Sequence, residues 1–248
     1  MPSISPSYSD PPWEVRWVFF DAVGTLIHVR GSVGEIYGRQ AASFGFEPAF
    51  SPSGYALIES AFRKAFKDTT LRCPQKLTVD APDHEREWWR QVVQGTFDQI
   101  APFPRLDQCF EQIYEVFRTT EAWELEHDAQ ESLSLLARDR NLGVISNFDS
   151  RLEDVLTGLG IRPFFQQLTI PGLAGVAKPD PAIFRYAMDQ IGADPAECLY
   201  VGDEVEDDYT APQSAGMRAL LYSPGDRHPK LPTAAQIKSL GEVSRFLV

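Results

Sequence analysis

The sequence predicts a doubly wound parallel α/β sheet interrupted by a helical insertion. Three observations lead there: five short apolar runs with strand character, clear helix signals between the later ones, and a stretch over residues 31–119 with helical patterning and no convincing strand. At 248 residues, the length suits one large domain or one domain with a sizeable insertion.

The first run, Trp17-Val18-Phe19-Phe20, is apolar throughout and ends at Asp21, as expected of a strand buried on both faces. In the insertion, Tyr55, Leu57, Ile58, Ala61, Phe62, Ala65 and Phe66 recur at helical spacing, as do Trp88, Trp89, Val92, Val93 and Phe97. The aromatic residues Phe110, Tyr114 and Phe117 continue this pattern, which reads first as core. Asp128-Ala129-Gln130-Glu131 has the form of a capping box before Leu133, Leu135 and Leu136. The second strand is Leu142 to Ser146, followed by a second capping pattern, Ser150-Arg151-Leu152-Glu153, and by Gly160 as terminator. A third strand lies near Phe165 to Ile170. Asp180-Pro181 and Asp194-Pro195 each place a cap before the proline favoured at a first helical position. Leu199 to Val201 and Ala219 to Tyr222 complete the strands, and Ile237, Leu240 and Val243 suggest one last amphipathic helix. This alternation implies parallel strands with helical crossovers.

Composition narrows the partners. The formal net charge of −12 and the sequence pI near 4.8 disfavour a phosphate backbone or an anionic membrane surface, both of which recruit Lys and Arg. With 43% hydrophobic residues, the chain can bury a proper core. The acid excess is uneven: residues 31–119 hold ten basic and twelve acidic residues, the remainder thirteen and twenty-three. Cys73, Cys109 and Cys198 show no CxxC spacing and read as packing thiols in a reducing compartment. No secretory pattern or membrane-length apolar segment is seen, so a soluble, cytoplasmic protein is expected, a monomer or homodimer acting on a small molecule.

In open α/β sheets, ligands bind at the carboxyl ends of the strands. Those ends deliver Asp21, Ser146-Asn147 and Asp203, and the loop before Asp180 delivers Lys178. A carboxylate nucleophile splits a hard displacement into two easier ones, and an ammonium with a hydroxyl donor suits a charged transferring group. Five of the six residues from Asp203 to Asp208 are acidic, a density that calls for a shared cation. No GxGxxG, Walker, HExxH, GxSxG or zinc spacing occurs, and His28, His84, His127 and His228 form no ligand set.

These residues, in this order, resemble the haloacid dehalogenase (HAD) superfamily of hydrolases. The first motif reads Asp21-Ala22-Val23-Gly24-Thr25-Leu26, the second is Ser146 in VISNFD, the third Lys178 in AKPDP, and the fourth Gly202-Asp203 with Asp208 five positions on. The phrases VGEIY, EWWRQVVQGTF and ISNFDSRLEDVL further resemble the rhythmically-expressed-gene-two-like branch. The resemblance implies a Rossmann-like core over residues 1–30 and 120–248, with residues 31–119 as a helical cap that closes over Asp21 and excludes water. It also implies Asp21 as nucleophile, Lys178 as catalytic cation, and a substrate phosphate held by Ala22, Val23, Ser146, Asn147 and Lys178. Magnesium would sit on Asp21, the Val23 carbonyl and Asp203, supported by Asp208 and Thr25. The implied activity is hydrolysis of a small phosphorylated metabolite.

One departure limits that activity. Most phosphatases of the superfamily place an acid/base Asp two positions after the nucleophile, and here the residue is Val23. A missing general acid or base costs about 10²–10⁴-fold in rate. Three outcomes follow: a phosphatase of low or specialised activity, a 2-haloacid dehalogenase with Arg63 as the candidate halide-binding arginine, or a non-catalytic binding protein.

Overall fold

The computed structural model describes residues 11–72, 81–225 and 235–248. Its main sheet has six parallel strands in the order β5-β4-β1-β6-β7-β8. These are β1 (Trp17–Phe20), β4 (Asn141–Ile145), β5 (Phe165–Thr169), β6 (Cys198–Gly202), β7 (Arg218–Tyr222) and β8 (Gln236–Ile237). The five predicted strands are thus present. The chain winds from β1 through β4 to β5, then crosses to β6 on the other side of β1, which places the strand-order reversal beside β1. Two further strands, β2 (Ile27–Val29) and β3 (Trp123–Leu125), pair in a sheet of their own.

The chain divides into two compact units. The first, residues 1–28, 125–148 and 159–248, contains the six-stranded sheet and the helices α5 (Ala129–Leu136), α7 (Pro171–Ala174), α8 (Ala182–Ile191) and α9 (Ala211–Ser214). The second comprises residues 29–124 and 149–158 and is helical: α1 (Val33–Ser43), α2 (Pro52–Arg72), α3 (Ala81–Phe97), α4 (Leu106–Val116) and α6 (Leu152–Gly158). Asp149–Gly158, grouped with the α/β core on sequence, belongs here by its contacts.

Close packing fixes the sheet centre. Phe19 is fully buried in β1 and faces Gly143 of β4 and Tyr200 of β6. A Cβ at position 143 would fall 2.6 Å from the Phe19 ring. Glycine in mid-strand is entropically costly, but this one makes space for the aromatic on the next strand. Ile183, Phe184, Ala187 and Met188 of α8 pack on that face.

The helical unit has its own apolar cluster, including Tyr37, Ile58, Val93, Phe97, Phe110 and Ile113. Tyr37 stacks on Phe97 with ring centroids 6.2 Å apart and meets Phe62 edge-on at 5.5 Å. The aromatic pattern of the insertion is therefore core. Trp89 has a second use: its indole Nε1 donates to Asp149 at 2.6 Å, and Asp149 also receives Arg151 Nε at 2.9 Å.

Several local expectations are corrected. Asp128 makes no side-chain cap on α5; its carboxylate accepts from Gly241 N at 2.9 Å, because the C-terminal turn brings that amide to it. Ser150 does not cap α6 either, since its hydroxyl donates to Glu85 at 2.6 Å. Asp180 accepts from Ala182 N at 2.9 Å, closing a turn just ahead of α8, whose N-cap position is Pro181. In place of a final amphipathic helix, the tail forms β8 and a 3₁₀ turn over Leu240–Phe246 that buries Leu240 and Val243. Cys109 and Cys198 are buried free thiols, while Cys73 and His228 lie outside the described residues. Among the described residues, no helix is long and apolar enough to cross a membrane.

Gly143→Ala should destabilise the protein by about 1–3 kcal/mol through overpacking against Phe19. Urea unfolding at equilibrium measures this, and an unchanged midpoint would show that the ring yields freely.

Candidate active site

Asp21 leaves the sheet at the carboxyl end of β1, where its amide still donates to Val201 O at 2.9 Å. The chain then turns sharply. Thr25, Leu26 and Ile27 all donate to the carbonyl of Ala22, at 3.3, 2.8 and 2.9 Å, and Gly24 adopts φ +96°. A Cβ on Gly24 would lie 2.5 Å from both Asp203 carboxylate oxygens, so glycine is required on conformational and steric grounds alike. Among the described residues, the amides of Ala22 and Val23 donate to no other backbone group.

Lys178 is buried, and its ammonium is the hub of the site. Nζ donates to Asp21 Oδ1 at 2.8 Å, to Asp208 Oδ1 at 2.6 Å and to the Tyr200 hydroxyl at 3.1 Å. Three donors thus meet three acceptors, the full capacity of an ammonium. The Tyr200 hydroxyl in turn donates to Ile145 O at 2.6 Å, tying the hub to the end of β4. Burial works against the charge on Lys178, but the two adjacent carboxylates outweigh it and hold the ammonium above its ordinary range. Burial also dominates at Asp21, pushing its carboxyl up to about 6; Lys178 opposes this and Asp208 adds to it.

Neighbouring groups fix the hub. Asn147 clasps the Lys178 main chain, accepting from its N at 2.8 Å and donating to its O at 2.9 Å. Its amide nitrogen also lies 3.4 Å from Asp207 Oδ2. Asp208 Oδ2 accepts from Glu204 N at 2.9 Å within a π-helical turn, Val205–Thr210. Gly202 permits this approach, since a Cβ there would meet Asp208 Cγ at 2.4 Å. Ser146 is buried beside Asp21 and hydrogen-bonds its carboxylate. Thr25 Oγ1 lies 3.4 Å from Asp203 Oδ1.

Asp21, Asp203 and Asp208 each offer an oxygen within 4.8 Å of the others. An all-oxygen set of this kind fits a hard divalent cation such as magnesium, which takes one or two carboxylates together with water and substrate oxygens. Charge gives the same answer. Three carboxylates face one ammonium, an excess of two negative charges when all are ionised; the Asp21 carboxyl is raised chiefly by burial, with Asp208 adding to it.

Val23 projects outward, 39% exposed, two residues after Asp21. It has no proton to give. Arg63 lies on an exposed face of α2, paired with Glu59 at 2.9 Å. His28 lies 4.0 Å from Glu126. Tyr200 is the site residue that sequence reasoning missed, because a tyrosine inside a buried apolar strand looks like packing.

A family model described as haloacid dehalogenase-like hydrolase matches residues 15–216. The chain is 36% identical over 235 residues to haloacid dehalogenase-like hydrolase domain-containing protein 3 of Danio rerio, covering 92% of this chain and 95% of that protein. It is 22% identical to N-acylneuraminate-9-phosphatase of Rattus norvegicus, over 84% of this chain and 82% of that one. The fold is similar to that of a 2-haloacid dehalogenase from Pseudomonas syringae pv. Tomato, with TM-score 0.64 and 23% identity, covering 94% of this chain and 97% of the other.

Lys178→Met should destabilise the protein by about 3–5 kcal/mol at neutral pH, because it leaves two buried carboxylates uncompensated. A carboxyl raised in the folded state favours folding at low pH and loses that contribution as pH rises through its folded value. Without the ammonium, which lowers it, the Asp21 carboxyl rises further, so the deficit should shrink as the pH falls toward 6, below which Asp21 is protonated in both proteins. Chemical unfolding at several pH values measures it, and a pH-independent deficit would contradict the charge account.

Proposed function

Because the chain belongs to the haloacid dehalogenase-like hydrolase family, we propose that this hydrolase is a magnesium-dependent phosphatase of low or specialised activity, working through a phosphoryl group carried on Asp21. The supporting observation is the buried Asp21–Lys178–Asp208 array with Asp203 beside it. Attack on phosphorus needs an ionised carboxylate next to groups that accept the charge of a phosphoryl ester, and this arrangement supplies both.

In the first step, an Asp21 oxygen forms a bond to phosphorus and the leaving group departs with its electron pair. Lys178 keeps Asp21 oriented and favours its ionised form. In this reading the amides of Ala22 and Val23 donate to phosphoryl oxygens, and the Ser146 hydroxyl joins them by turning from the Asp21 carboxylate that it holds in the free protein. A magnesium ion, held by Asp21, Asp203 and the Val23 carbonyl, would supply charge neutralisation for the transferring group. In the second step, a water oxygen bonds to phosphorus, the bond from phosphorus to the Asp21 oxygen breaks with its electrons returning to the carboxylate, and the water's proton passes to the departing phosphate or to solvent.

Val23 bears on both steps. An isopropyl group cannot protonate an alkoxide, so substrates whose leaving group is stable as an anion, aryl or acyl phosphates, are favoured. It cannot activate water either, so the second step slows too. The substrate is a small phosphorylated metabolite, and the buried free thiols of Cys109 and Cys198 suit the reducing cytoplasm. Displacement of halide from a 2-haloacid would use the same nucleophile, but it has no use for the acidic group at Asp203 and Asp208.

Hydrolysis of an aryl phosphate should be slow, magnesium-dependent and abolished by Asp21→Asn, while Val23→Asp raises it by about tenfold or more. Phosphate release with and without magnesium measures this. Turnover that survives Asp21→Asn would remove the nucleophile assignment, and magnesium-independent chloride release from 2-chloropropionate would establish the other chemistry.

A further inference from the structure

Asp149 and Arg151 form a buried ion pair that takes no part in the hub. A buried pair often adds no net stability over well-packed apolar residues, so its contribution is sought in the geometry it fixes. The chain leaves the six-stranded unit at Phe148 and enters the helical unit at Asp149. Just before this crossing, Ser146 hydrogen-bonds the Asp21 carboxylate and Asn147 clasps the Lys178 main chain.

Just after it, each residue is bound to the helices. Asp149 Oδ2 accepts from Trp89 Nε1 of α3 and from Arg151 Nη2, both at 2.6 Å, while Oδ1 accepts from Arg151 N at 3.0 Å and Nε at 2.9 Å. Four donors match the lone-pair sites of a carboxylate, so Asp149 is held in one orientation. Ser150 donates to Glu85 of α3, from its amide at 3.0 Å and its hydroxyl at 2.6 Å. Arg151 Nη1 donates to Tyr114 O of α4 at 3.2 Å, and the guanidinium lies 4.0 Å from the centroid of the Tyr114 ring. Only Phe148 separates this anchored run from Asn147, so the Cα atoms of Asn147 and Asp149 are at most about 7 Å apart. A shift at one is transmitted to the other.

We infer that Trp89 and Asp149 are positioning residues for the Asp21 site. By fixing the start of the crossing they fix Asn147, and through its clasp they fix Lys178. The helical unit thus contributes to the placement of the ammonium without supplying a group that touches it. This inference deepens the phosphatase reading and rests on it for its kinetic readout.

Adjacent tryptophans give a matched test on the full chain. Trp89 Nε1 donates to Asp149, whereas Trp88 Nε1 has no acceptor, so phenylalanine at each position removes one bound N–H and one idle N–H. With an aryl phosphate and magnesium, Trp89→Phe should lower kcat by about tenfold and change KM by about twofold at most. Trp88→Phe should leave both unchanged. In an Asn147→Ala background the Trp89→Phe loss should shrink to about twofold, because the two residues act in series. Hydrogen exchange needs no turnover: the Lys178 amide, which donates to Asn147 Oδ1, should exchange about tenfold faster in Trp89→Phe and at the natural rate in Trp88→Phe. Faster exchange in a protein without phosphatase activity would remove the phosphatase reading and keep this one. An unchanged Lys178 exchange rate, equal effects of the two tryptophan variants, or a kcat loss undiminished by Asn147→Ala would overturn it.

Discussion

The buried ammonium of Lys178, held between Asp21 and Asp208, is the constraint around which the α/β unit is arranged. An isolated charge at such a position would be prohibitively costly, so each of its protons must have an acceptor. Those acceptors come from the end of β1, from within β6 and from the π-helical turn after β6. Asn147, just beyond β4, fixes the lysine main chain. The glycines follow from the same demand: Gly202 lets Asp208 reach the ammonium, and Gly24 lets Asp203 lie close beneath the turn. Altering any of these disturbs the geometry of Asp21.

Charge connects the hub to chemistry. One ammonium cannot balance three carboxylates, and the Asp21 carboxyl, pushed up to about 6 chiefly by burial and further by Asp208, sits within that imbalance. A divalent cation or a proton can meet the deficit, and only the cation leaves Asp21 ionised as a nucleophile. The global acid excess of the chain is thus concentrated where a cation is of use. Val23 stands apart from this economy of charge: exposed and apolar, it occupies the position from which an acid would serve the leaving group.

Much of this was legible in the residues. Strands buried on both faces of a parallel sheet read as unbroken apolar runs, so WVFF and LGVIS located β1 and β4 within a residue. Asp21, Lys178, Asp203 and Asp208 stood out because their types and order match a chemistry. What stayed hidden depended on partners distant in sequence. Asp128 and Ser150 looked like helix caps until Gly241 and Glu85 competed for them. Tyr200 looked like core until its hydroxyl met Lys178. β8 has only Gln236–Ile237, too few residues for a period to show.

In the proposed mechanism Asp21 takes the phosphoryl group, and Val23 leaves it slow to depart. Mass analysis of the peptide bearing Asp21, after brief exposure to an aryl phosphate with magnesium and an acid quench, tests this directly. The account predicts a phosphoryl adduct on Asp21 that accumulates in the natural protein and diminishes in Val23→Asp. Sustained turnover with Asp21 unmodified in both proteins, or an adduct on another residue, would contradict it.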